Sequence, residues 1–152
     1  MYKAFADKLI EITERHSDEM SRRWCKSVRT NPRTPSYHPM TPEQCVLHAE
    51  DFYKNLRRIY FSAKPYTEVN EYFTRYAEES FKEGIPLHEA AYALIMMRRH
   101  MWLFADFQAM FVTPLDNQQA VETINKTIRL FDHGLYILIQ KYGELNQQGE
   151  RL

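Results

Sequence analysis

Two long helical patterns meet at Glu83-Gly84-Ile85-Pro86-Leu87, and this corner constrains the fold more than any other part of the chain. Gly84 can take the left-handed conformation that closes one helix, and Pro86 supplies the fixed φ that opens the next. Upstream, Val69, Tyr72, Phe73, Tyr76 and Phe81 recur at helical spacing, which predicts a helix from about Thr67 to Glu83. Downstream, a run from Pro86 to about Phe111 is apolar nearly all round, as befits the central, most buried helix.

The rest of the chain reads as helix as well. Phe5, Leu9, Ile12, Met20, Trp24 and Val28 form one stripe, with His16 on it, and predict a first helix over about 2–28. A connector with four prolines, Asn31 to Pro42, follows. Thr41-Pro42-Glu43-Gln44 has the form of a capping box, so a second helix begins there and carries Cys45, Ala49, Phe52, Leu56 and Ile59 inward before stopping near Lys64-Pro65. Thr113-Pro114-Leu115-Asp116 repeats the capping pattern ahead of a last helix with Val121, Ile124, Ile128, Phe131, Leu135, Leu138 and Tyr142 on one stripe. Gly143 is expected to end it, leaving 144–152 as a polar tail after a helical domain of residues 1–143. The expectation is an all-α, five-helix bundle.

Composition narrows function mainly by exclusion. Twenty Lys and Arg balance twenty Asp and Glu in 152 residues, so no long-range field draws the domain onto nucleic acid or an anionic membrane surface. No apolar run approaches the ~20 residues of a membrane span. The two cysteines, Cys25 and Cys45, fall within helical patterns, and nothing like a signal peptide precedes them, which predicts buried thiols in a reducing cytoplasm. Four glycines, at 84, 134, 143 and 149, form no phosphate-cradling loop.

No catalytic or metal motif emerges. The six histidines are never within a helical turn of one another, His16-x-x-Glu19 is an isolated pair, and His88-Glu89 lacks the second histidine of a zinc-protease helix. His100 and His133 lie on apolar helices of a chain of globin length, but no ligand pattern for haem accompanies them, and no cofactor is expected. Ser80, Cys25 and Cys45 are as readily packing residues as nucleophiles. The candidate ligand or switch residues are Arg98, Arg99, His100 and Trp102, where charge interrupts the apolar fourth helix. Arg98 or Arg99 could hold an anionic ligand, clamp Glu78 or Glu79 across the corner, or snorkel to water. Eight aromatic residues between Phe52 and Tyr76 predict some interface positions, and the stripes of the first and last helices are candidates for pairing with a second copy.

Trp24 closing the first helix, the Asn31-Pro32 to Tyr37 connector, the Gly84–Pro86 corner and the Leu94 to Trp102 run with its paired arginines together resemble one family. The chain is similar over about residues 5–140 to the N-terminal input domain of the RsbRD type of RsbT co-antagonist. The resemblance implies a helical, globin-like, haem-less sensory module of bacterial signalling proteins. It is expected to be homodimeric and to precede an output domain, which is a STAS domain in stressosome components and a histidine kinase or transcription regulator elsewhere. It supplies no catalytic residues. Haem-binding sensor globins have a histidine shortly before a comparable glycine corner; here Ser80, Phe81 and Lys82 stand there instead.

Overall fold

A computed structural model of the chain describes residues 5–64, 66–107 and 114–150. Six α-helices account for most of them: α1 (Phe5–Arg15), α2 (Ser17–Thr30), α3 (Pro42–Tyr60), α4 (Thr67–Lys82), α5 (Leu87–Phe107) and α6 (Pro114–Glu150). A 3-10 turn, Pro35–Tyr37, lies in the proline-rich connector, and no strand occurs among the described residues.

The local signals do what their chemistry requires. Gln44 N–H donates to Thr41 Oγ1 at 3.2 Å while Thr41 N–H donates to Gln44 Oε1 at 3.3 Å, so both halves of the capping box are formed. Gly84 has φ +77°, Ile85 N–H reaches Ser80 O and Gly84 N–H reaches Phe81 O, each at 3.0 Å. That pair of bonds is the Schellman closure of α4. Tyr142 of α6 then donates its hydroxyl to Ile85 O at 2.7 Å, tying the corner to the last helix.

Three expectations are corrected. The first helix is two, because the chain leaves helical geometry at His16 (φ −110°, ψ 24°). The bend lets α1 pack on α3 and α6 while α2 packs on α3 and α5, which one straight rod could not do. The last helix does not stop at Gly143 but runs on to Glu150: Gly143 has no positive φ, and open space surrounds it, so nothing forces a turn. The α6 stripe also divides, with Phe131, Leu138 and Tyr142 buried but Val121 and Ile128 exposed. The expected N-cap Thr113, the expected end of α5 at Phe111 and Pro65 lie outside the described residues.

Six of the eight aromatic residues between Phe52 and Tyr76 belong to the core. Phe52, Tyr53, Tyr60, Tyr72, Phe73 and Tyr76 are buried, leaving only Phe61 and Tyr66 of that group exposed. Three buried aromatic donors reach backbone carbonyls of α5. Tyr76 Oη donates to Ala90 O, Trp24 Nε1 to Ala93 O and Tyr53 Oη to Met97 O, at 2.9 to 3.0 Å. Positions 90, 93 and 97 lie along one side of α5, and each carbonyl has a second lone pair to spare beyond its helical bond. Three helices are thus pinned to the central one through aromatic donors. Both cysteines are free and buried.

Candidate functional site

The residues singled out on α5 do not converge. Arg98 is half-buried with its guanidinium 5.8 Å from the centre of the Phe131 ring of α6. Glu78 instead meets Lys141 and Glu79 meets Arg75, so of the alternatives for these arginines the clamp across the corner is not formed among the described residues. Arg99 is exposed beside Tyr92, where with Arg33 it holds the phenol below its usual pKa. His100 faces α2, its Nε2 2.9 Å from Ser27 Oγ. Trp102 lies parallel to Phe5 of α1, ring centres 6.3 Å apart, and its Nε1 is buried without a hydrogen-bond partner among the described residues. Four neighbours on a helix spread around its circumference, so sequence proximity does not make them one site.

His100 is nevertheless a titrating element of the α2–α5 seam. Burial, reinforced by Arg23 and Arg99, lowers its pKa from the ordinary 6.5. The native ring therefore refuses a proton that the unfolded chain accepts. Its stabilising contribution is complete above pH 6.5 and is lost as pH falls through the native pKa. Thermal melts should show the wild type losing more stability between neutral and mildly acidic pH than His100→Gln, and parallel losses would refute this assignment.

Concave surface occurs elsewhere. A groove of about 700 Å³ runs between α3 and α4. Asp51, Glu79 and Glu83 line it, with Asp51 2.8 Å from Arg75 and Glu83 3.3 Å from His48, so most of its charge is compensated in place. A second pocket, about 390 Å³, lies where the end of α3, the start of α4 and the middle of α6 meet. Ile59, Val69 and Leu130 line it together with three cationic or titratable side chains of α6, Lys126, Arg129 and His133. Tyr66 in its wall is the one non-glycine residue with positive φ among the described residues (φ 62°). A left-handed backbone there costs on the order of 1–2 kcal/mol, a strain of the sort that concentrates at ligand sites.

Sequence reasoning passed over this pocket, although Lys126, Arg129 and His133 at i, i+3 and i+7 share a helical face and could have been noticed. What could not be read was the apolar floor from α3 and α4 beneath them. Compared with protein-family models, curated proteins and solved structures, the chain matches none.

Proposed function

We propose that the chain is a non-enzymatic sensory or interaction module of a cytoplasmic bacterial signalling protein, a globin-like input domain of the RsbRD type that works as a homodimer. Its state would pass through α6 to an output domain or partner such as a STAS domain, kinase or regulator. The observation that carries this reading is α6 itself. Its 37 residues span ~55 Å, pack on α1, α4 and α5, and still expose Val121, Ile128, Tyr136 and Ile139. A helix that touches three others and presents an apolar edge can couple an internal rearrangement to a second copy. Phe81 and Tyr142, ring centres 5.4 Å apart, bring the Gly84–Pro86 corner into the same unit.

Sedimentation equilibrium tests the dimer. The wild type should associate and Ile128→Glu should be monomeric with unchanged helicity, because the side chain is partly exposed and its replacement disturbs the interface rather than the core. A wild type that stays monomeric at high micromolar concentration would remove the dimer from the reading. The second reading is a stand-alone small-molecule or haem carrier, favoured by the pocket between α3, α4 and α6. An absorption spectrum and native mass spectrometry on protein purified without cofactor separate the two: a Soret band or a bound mass supports the carrier.

A further inference from the structure

The pocket between α3, α4 and α6 combines an apolar floor with cations that form no ion pair among the described residues. Neither Arg129 nor Lys126 makes an ion pair among the described residues, and Lys126 lies over the Tyr60 and Phe61 rings at 4.4 and 5.4 Å. Glu122 and Asp132, their neighbours on α6, form no ion pair with either. Glu68, at the start of α4, accepts a hydrogen bond from Ser62 Oγ at 2.7 Å instead. His133 is held by Asn70 Oδ1 at 3.0 Å on the same rim. Elsewhere on this chain arginines meet carboxylates readily: Arg57 meets Asp7 and Glu14, and Arg22 meets Asp18. Lys126 and Arg129 instead line the same pocket as Ile59, Val69 and Leu130.

We propose that this pocket binds an amphipathic monocarboxylate, its apolar body on the Ile59–Val69–Leu130 floor and its carboxylate between Lys126 and Arg129. The volume, about 390 Å³, suits a medium-chain or aryl carboxylate and falls in the range of small-molecule sites. The strained backbone of Tyr66 places an aromatic ring in the wall at the mouth of that floor. Arginine and lysine supply the charge-assisted hydrogen bonds that distinguish a carboxylate from a neutral alcohol of equal size. A bound ligand would bridge the α3–α4 turn to α6 and favour whichever placement of α6 holds both cations on the carboxylate. Its use as an input rests on the sensory reading above; occupancy of the pocket does not.

Amide-resolved NMR titration of the whole chain with octanoate, octanol and inorganic phosphate tests this. Octanoate should saturate, with shifts centred on Ile59, Val69 and Leu130. Octanol should bind about tenfold or more weakly, and phosphate, lacking an apolar body, should not saturate. Lys126→Gln and Arg129→Gln should each weaken octanoate about tenfold at an unchanged melting temperature, since both side chains are exposed. Octanol binding as well as octanoate, shifts centred elsewhere, or variants that bind like wild type would overturn the proposal. Hydrogen exchange of α6 with saturating octanoate separates the two claims. Binding that leaves α6 exchange unchanged keeps the site and removes its sensory role, whereas absent binding removes the site alone.

Discussion

Trp24→Ala should lose about 3–5 kcal/mol of folding stability, the range for truncating a large buried aromatic residue. Trp24 is fully buried, packs edge-on to Tyr37 with ring centres 5.9 Å apart, and donates Nε1–H to Ala93 O at 3.0 Å. A domain of this size has about 5–15 kcal/mol in all, so the variant would sit near the edge of folding. The loss has two parts that a second variant separates. Trp24→Phe keeps most of the apolar contact and removes the donor; since Ala93 O retains its helical bond, this variant should lose only about 1–2 kcal/mol. Urea denaturation checks both, and a Trp24→Ala loss below about 1 kcal/mol would mean the α2–connector–α5 seam is packed far more loosely than its burial indicates.

What the sequence disclosed about this molecule follows the range of the physics involved. The Gly84 closure and the Thr41–Gln44 box are settled by residues a few positions apart, and both formed where expected. The bend at His16 is settled by what lies opposite, α3 and α6 on one side and α5 on the other, and no spacing within 2–28 encodes that. On α6 the error has a geometric cause. Val121, Ile128, Leu135 and Tyr142 repeat every seven residues, whereas a straight helix drifts ~20° per heptad relative to such a repeat. Exposure accordingly falls from 58% at Val121 through 38% at Ile128 to 3% at Tyr142. A stripe that looks continuous in sequence winds from the outer face onto the core. The arginines of α5 misled for a related reason, since adjacent residues on a helix point apart, while the cations of the pocket needed three elements to assemble.

Gly134→Ala should destabilise the chain by about 1–2 kcal/mol even though alanine is the better helix former. A Cβ at position 134 would meet Phe73 Cε1 and Cζ at 2.6 Å and Cδ1 at 2.8 Å. Phe73 is fully buried and lies edge-on to Tyr72 at 5.3 Å, so its ring has nowhere to swing. Overpacking of this kind costs roughly 1–3 kcal/mol, offset by up to about 1 kcal/mol of helix propensity. Gly143→Ala is the matched control: it lies on the same helix with open space around it, gains the propensity without the clash, and should be neutral or stabilising. Thermal melts compare them, and Gly134→Ala proving as stable as Gly143→Ala would show that α6 does not approach α4 this closely. The same substitution also probes the signalling reading. If the strain is relieved by moving α6 rather than the ring, the displacement occurs one residue from His133 and one turn from Leu130, at the pocket itself. Gly134→Ala would then weaken octanoate binding and alter self-association together, whereas Phe73→Leu in the same chain, by clearing the space, should restore both.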